Sequence, residues 1–146
     1  MSFRLLVLTI GCLGLCAVHG CRSDLISQIY DTCFTVDNCV STAELCEELT
    51  VDFAGLLHTN AICTVTCAAE GPLSLDCPRA FIGRNGSCYP SNVGGGPDST
   101  LICFEPCDVN GDCLLGFRCL GAVELCPMDP TCPIAEDDRI CVPGPL

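Results

Sequence analysis

The chain has 146 residues, 17 cysteines and a formal net charge of −12, so it is an acidic, cysteine-rich protein. Such a surface repels phosphate backbones and anionic lipid, which argues against nucleic-acid partners and leaves a covalent anchor as the expected route to a membrane. Apolar residues other than cysteine make up about a third of residues 21–146. Disulfides rather than a large core should therefore hold the fold together.

The first twenty residues have the pattern of a secretory signal peptide. Arg4 precedes an apolar run over residues 5–18, and Val18 and Gly20 suit cleavage after residue 20. As a helix the run is about 21 Å long, short of the ~30 Å hydrocarbon core of a bilayer. The sequence therefore predicts export, with residues 1–20 removed, to a secreted or cell-envelope location.

Cys21 would be the first residue after cleavage, and two interpretations are open. A cysteine in this place resembles the lipid-attachment site of bacterial lipoproteins, although His19 departs from that pattern. Cysteine parity favours lipidation: without Cys12 and Cys16 fifteen cysteines remain, and setting Cys21 aside leaves fourteen that can all pair. The alternative is an ordinary secreted protein in which Cys21 forms a disulfide.

The remaining cysteines divide the chain into three units of four. Unit A covers residues 21–66, unit B residues 67–103 and unit C residues 104–146, joined by Ile-Cys-x3-Cys segments. Their cysteines are, in order, Cys33, Cys39, Cys46 and Cys63; Cys67, Cys77, Cys88 and Cys103; and Cys107, Cys113, Cys119 and Cys141. Unit C has an additional close pair, Cys126 and Cys132, which we expect to close a local loop. Outside the cysteines, Asp76–Phe81 parallels Asp112–Phe117, whereas unit A shares little beyond the spacing.

Little helix is expected between these cysteines. Ser41 and Glu44 have the spacing of a capping box, which predicts a short helix over residues 42–48. A further helical turn or two is expected over residues 23–30, because Leu25, Ile26 and Ile29 fall on one face.

The β-type segments predict hairpins. Leu49–Phe53 and Ala61–Thr66 are rich in β-branched and apolar residues and are expected to pair across the loop between them. Residues 91–99 are predicted to form a glycine-rich loop within unit B, and Asn85-Gly and Asn110-Gly mark tight turns. The expected fold is small and disulfide-rich, with irregular loops, short β-hairpins and one or two short helices.

Metal chemistry is not indicated. Residues 21–146 contain no Cys-x2-Cys, and their one histidine, His58, lies outside any ligand spacing, so disulfides are favoured over zinc or a thiol redox site. Asp108–Asp112 begins like a calcium loop, but Cys113 and Cys119 stand where such a loop needs glycine and glutamate, which favours a plain turn.

Catalysis is not indicated either. The chain has no Gly-x-Ser-x-Gly and no His-Glu-x2-His, so no catalytic or cofactor-binding residue and no cofactor is predicted, and we do not expect an enzyme. Asn85-Gly-Ser87 is an N-glycosylation sequon, which matters if the source is eukaryotic.

Unit C resembles a whey-acidic-protein four-disulfide core. The similarity rests on Cys103-x3-Cys107-x5-Cys113-x5-Cys119 and on Cys141-Val-Pro, although Leu120 replaces an adjacent cysteine of that family. The resemblance implies the bonds Cys107–Cys119 and Cys113–Cys141, a crossing pattern that we expect in each unit. It also implies serine-protease inhibition, with residues 89–102 facing the protease and Leu101 suited to a chymotrypsin- or elastase-like pocket.

Residues 21–143 also resemble the cysteine-rich repeat lipoproteins of bacterial envelopes, which repeat an Asp-Cys-(Pro)-x-Gly-x-x-Cys element, here Asp112–Cys119. The leading expectation is a non-enzymatic structural or binding protein of the envelope or extracellular space, anchored through Cys21, with an unknown protein or surface ligand as partner. A secreted protease inhibitor and an acidic calcium-binding matrix protein are the alternatives. The oligomeric state is left open.

Overall fold

The structure is a computed structural model that describes residues 28–40, 42–53, 55–93, 99–127 and 129–145. The predicted signal peptide, Cys21 and most of the helix expected over residues 23–30 lie outside this part of the chain. Ile29 and Tyr30, which end that segment, belong to a turn. Among the described residues, no helix has the length and apolar character needed to span a membrane.

Three antiparallel hairpins make up most of the regular structure, one in each unit. Strand β1 (Leu45–Phe53) pairs with β2 (Leu56–Thr64), β3 (Ser87–Pro90) with β4 (Leu101–Phe104), and β5 (Phe117–Gly121) with β6 (Arg139–Pro143). Two 3-10 turns, Val36–Asn38 and Asn110–Asp112, and one short helix, α1 (Ala122–Leu125), complete the described elements. The predicted fold class, a small disulfide-rich fold of short hairpins, is confirmed.

The helix predicted over residues 42–48 is wrong, because Leu45 begins strand β1. A favourable helix cap contributes only about 1 kcal/mol, whereas pairing with β2 places Leu49 and Val51 in the core. Leu49–Phe53 and Ala61–Thr66 do contribute to one hairpin, as expected. The strands are longer than predicted, so Leu49–Phe53 lies opposite residues 56–60 rather than opposite Ala61–Thr66.

Seven disulfides join the described cysteines, and each unit uses the same pattern. The first cysteine pairs with the third and the second with the fourth: Cys33–Cys46 and Cys39–Cys63, Cys67–Cys88 and Cys77–Cys103, Cys107–Cys119 and Cys113–Cys141. The last two are the bonds that the whey-acidic-protein resemblance implies. Cys126–Cys132 closes an additional loop in unit C. No disulfide of the described residues joins two units.

The three units also share their backbone pairing. The residue before the first cysteine bridges to the residue before the fourth, as Thr32 to Ile62, Thr66 to Ile102 and Pro106 to Ile140. The third and fourth cysteines lie directly opposite each other in every hairpin: Cys46 and Cys63, Cys88 and Cys103, Cys119 and Cys141. Unit A, which matched the others only in spacing, therefore has the same pairing scheme.

One apolar cluster draws on all three units. Its buried members include Leu49 and Ile62 from unit A, Tyr89 and Ile102 from unit B, and Phe117, Ile140 and Val142 from unit C. Hydrogen bonds also join the units. The buried Thr64 hydroxyl of unit A donates to the Cys103 carbonyl of unit B at 2.6 Å, and the Tyr89 hydroxyl of unit B donates to Asp138 of unit C at 2.8 Å. The units thus share a core although their disulfides do not cross between them.

The sequence parallel between units B and C fails at one aromatic position. Phe117 is buried, whereas Phe81 is 81% exposed. Tyr30 of unit A enters the apolar cluster of unit B instead, and its hydroxyl donates to the Pro78 carbonyl at 2.9 Å. A small residue is needed next to this phenol, and Gly86 occupies that place.

Candidate functional site

A cleft of about 450 Å³ lies beside strand β1. Side chains of β1 form one wall, and Leu57 of the neighbouring strand extends it. Residues 91–93, which follow β3, and Leu125 of helix α1 form the opposite side. The cleft is thus built from all three units, which the common core holds together. Its volume falls within the range of ligand-binding pockets, about 300–1,000 Å³.

Three exposed residues of β1 and the buried Val51 line the cleft. Successive residues of a strand point to opposite faces, and Leu49 and Val51 are buried while Glu48, Thr50 and Asp52 are exposed. At ~3.3 Å per residue, the two acidic positions are about 13 Å apart along the strand. The exposed face therefore presents a row of carboxylate, hydroxyl and carboxylate.

Local hydrogen bonds order this row. The hydroxyl oxygens of Thr50 and Thr59, which lie opposite each other, are 2.9 Å apart. Near the turn, an Asp52 carboxylate oxygen accepts from the Gly55 N–H at 2.8 Å. Gly55 has φ of 82°, a conformation that favours glycine in a tight hairpin turn. The turn residue thus fixes both the hairpin and the Asp52 side chain.

The charge of the cleft is negative, because Glu48 and Asp52 line it and no arginine of the described residues does. Arg84 pairs with Asp108 at 2.9 Å, and Arg139 lies 3.6 Å from Glu124. Arg118 donates to a backbone carbonyl near the chain end and lies 5.9 Å from the centre of the Phe53 ring. Within the described residues, no ion pair involves the carboxylates of the cleft.

The remaining lining is apolar. Leu57 is 72% exposed although it lies in a paired strand, and Val93 and Leu125 line the cleft opposite it. Long cationic side chains have apolar stems and charged ends. A cleft that combines carboxylates with apolar walls therefore has the character needed to bind lysine or arginine side chains.

The clustered cysteines of the described residues are bonded as disulfides. Three groups of cysteine sulfurs lie within 4.8 Å of one another, one group in each unit: Cys33, Cys39 and Cys63; Cys67, Cys77 and Cys103; Cys107, Cys113 and Cys119. Every one of these sulfurs belongs to a disulfide. Because metal binding requires the thiolate, the clusters reflect the crossed disulfides of each unit.

The segment that begins like a calcium loop is an internally bonded turn. The Asp112 carboxylate accepts from the backbone N–H groups of Asp108 at 2.8 Å and Val109 at 3.1 Å. These hydrogen bonds hold the pKa of Asp112 below its ordinary value. Asn110 is also engaged, because its side-chain oxygen accepts from the Cys119 N–H. The oxygens therefore stabilise the turn.

A backbone-to-side-chain hydrogen bond of this kind occurs in all three units. The residue after the first cysteine donates its N–H to the side chain just before the second: Phe34 to Asn38, Ala68 to Asp76, and Asp108 to Asp112. This shared hydrogen bond was not predicted from the sequence in any of the three units. The available signal was an asparagine or aspartate directly before the second cysteine of every unit.

Three other sites were predicted from the sequence. Cys21 lies outside the described residues. Asn85 of the sequon is partly exposed and bridges to Arg79, while Ser87 is fully buried in β3. The segment suggested to face a protease begins and ends at Tyr89 and Ile102, which are fully buried opposite each other.

The chain matches no protein-family model, no curated protein and no solved structure. Its class is therefore defined by its own features. Seven disulfides in a small hairpin fold are the features of an exported, disulfide-stabilised small protein, suited to an oxidising extracellular environment.

Proposed function

We propose that this protein is a non-enzymatic binding protein of the cell envelope or extracellular space, built from three repeated units and anchored by a lipid at Cys21. The observation that carries the proposal is the cleft beside β1, which combines Glu48 and Asp52 with apolar walls. The bonds Cys33–Cys46 and Cys39–Cys63 fix both strands at the base of this hairpin. A binding surface on so constrained a scaffold loses little conformational entropy when a partner docks.

Intact mass measurement of the native protein, before and after reduction, tests export and anchoring. We expect the mass of residues 21–146 plus a lipid, and a gain of fourteen hydrogens when the seven disulfides are reduced. A Cys21→Ser variant should lose the lipid and move from the detergent phase to the aqueous phase. An unmodified Cys21 in the native protein would disprove the anchor.

Chemical crosslinking of the tagged protein in its native setting tests the binding function. The expected result is a reproducible crosslinked partner that unlabelled mature protein displaces. Absence of any displaceable partner would contradict a binding role and leave a purely structural one.

A second candidate is a protease inhibitor, favoured by the bonds Cys107–Cys119 and Cys113–Cys141, which match those implied by the whey-acidic-protein resemblance. The buried ends of its suggested loop, Tyr89 and Ile102, leave less of the segment accessible to an enzyme. A panel of serine proteases decides the matter. Lack of inhibition at micromolar protein would reject this candidate.

A further inference from the structure

Strand β1 is an edge strand of its two-stranded sheet. It pairs with β2 alone, and none of the isolated bridges in the described chain involves it. On the other side of β2, the Cys33 N–H donates to the Ala61 carbonyl and the Cys63 N–H donates to the Asp31 carbonyl. The backbone groups of Ala61 and Cys63 therefore point away from β1.

This arrangement determines the direction of the β1 backbone groups. In an antiparallel ladder, alternate residues direct both their N–H and C=O groups toward the same neighbour. Ile62 and Asn60 must then face β1, and their partners are Glu47 and Leu49. Residues 48, 50 and 52 alternate with these partners along β1, so their backbone groups point to the open edge. Within the described residues, none of the three forms a backbone hydrogen bond outside the hairpin.

The same three residues carry the polar side chains of the cleft. Among the described residues, Glu48, Thr50 and Asp52 thus offer backbone groups without a partner and two carboxylates along one line. An open strand edge is a template for an incoming strand, in which the backbone supplies affinity and alternate side chains supply specificity.

The negative charge of the strand edge determines which kind of segment can bind there. A second copy of this acidic chain would place carboxylates against carboxylates, and like charges directly opposite each other destabilise a strand pair. A segment with lysine or arginine at alternate positions would instead place cations beside Glu48 and Asp52.

We infer that the open edge of β1 at Glu48, Thr50 and Asp52 binds an extended, basic segment of a partner protein by strand addition. The inference rests on the proposed binding function and specifies the class of partner. Incoming backbone amides and carbonyls pair with the free groups of the edge, and basic side chains contact the two carboxylates.

The test uses the mature oxidised protein and a short synthetic peptide in which lysine and valine alternate. Fluorescence anisotropy at physiological salt should show binding that weakens about tenfold in the Glu48→Gln/Asp52→Asn variant. The matched control, Glu136→Gln/Asp137→Asn, removes two exposed acidic charges elsewhere and should change affinity less than about twofold. The same peptide with glutamate in place of lysine should not bind.

Two further measurements distinguish strand addition from simple charge attraction. A peptide that keeps its lysines but has alternate amides N-methylated should lose binding, and the amide protons at positions 48, 50 and 52 should gain exchange protection only with the unmodified peptide. Equal weakening in both acidic variants, or unprotected edge amides, would overturn the inference. If crosslinking still captures a displaceable partner in the β1 variant, the binding function stands and this site is rejected.

Discussion

Replacing Gly86 with alanine tests how unit A packs against unit B. A Cβ atom at this position would overlap the Tyr30 hydroxyl and lie 2.9 Å from the Cβ of Cys77 and 3.0 Å from the Phe104 carbonyl oxygen. None of these neighbours moves easily. Tyr30 is 4% exposed and donates to a carbonyl, Cys77 is held by its disulfide, and the Phe104 carbonyl is backbone.

Overpacking of this kind costs about 1–3 kcal/mol. At ~4 °C per kcal/mol for a chain of this size, the unfolding midpoint should fall by about 4–12 °C. Thermal unfolding of the oxidised protein, followed by circular dichroism, measures the change. Gly111→Ala is the matched control, because a Cβ there meets nothing within 4 Å, and it should change the free energy of unfolding by less than about 0.5 kcal/mol.

Equal midpoints for Gly86→Ala and Gly111→Ala would refute the packing of Tyr30 against Gly86. A double-mutant cycle with Tyr30→Phe sharpens the test. Removing the hydroxyl relieves the main overlap, so the two substitutions together should cost at least about 1 kcal/mol less than their sum.

Three other predictions concern stability. Thr64→Val removes a buried hydroxyl that donates at 2.6 Å and should cost about 1–2 kcal/mol in urea unfolding, so an unchanged midpoint would contradict it. Replacing Cys126 and Cys132 with serine should lower the free energy of unfolding by about 2 kcal/mol, and replacing Cys113 and Cys141 should lower it by about 4 kcal/mol. The costs differ because the two bonds span 6 and 28 residues. The reverse order of melting temperatures would refute the loop-entropy argument. Burial raises the pKa of Tyr30 and Tyr89 well above the unfolded value of ~10. The free energy of unfolding should therefore decrease as the pH rises above ~10. Phenolate absorbance should therefore increase only as the protein unfolds, and titration of the folded protein near pH ~10 would contradict the burial.

Several features could be predicted because they depend on neighbouring residues. The strand signal in Leu49–Phe53 is its content of β-branched and apolar residues, and the structure places that segment in a strand. The resemblance of unit C to a known disulfide core implied crossed bonds, which were expected in each unit. Those bonds are present in all three units.

The helix expected over residues 42–48 shows why other features could not be predicted. The signal of Ser41 and Glu44 is local and contributes about 1 kcal/mol. The competing strand gains nine cross-strand pairs, and Cys46 is bonded to Cys33. Contacts made by residues far apart in the chain therefore outweighed the local preference.

The candidate site depends still more on tertiary structure. Nothing in the sequence marked Glu48 or Asp52 as site residues. They form a site because β1 is left at an edge and because Val93 and Leu125 pack across from them.

By itself, the sequence determined the disulfide-rich class, the oxidising environment suited to it, and the acidic surface, because these follow from composition and cysteine number. Only the tertiary structure decided that the three units share one core, that Tyr30 rather than Phe81 fills unit B, and that β1 keeps an open acidic edge. The physical reason is that composition adds up residue by residue, whereas burial and strand pairing depend on which distant segments meet.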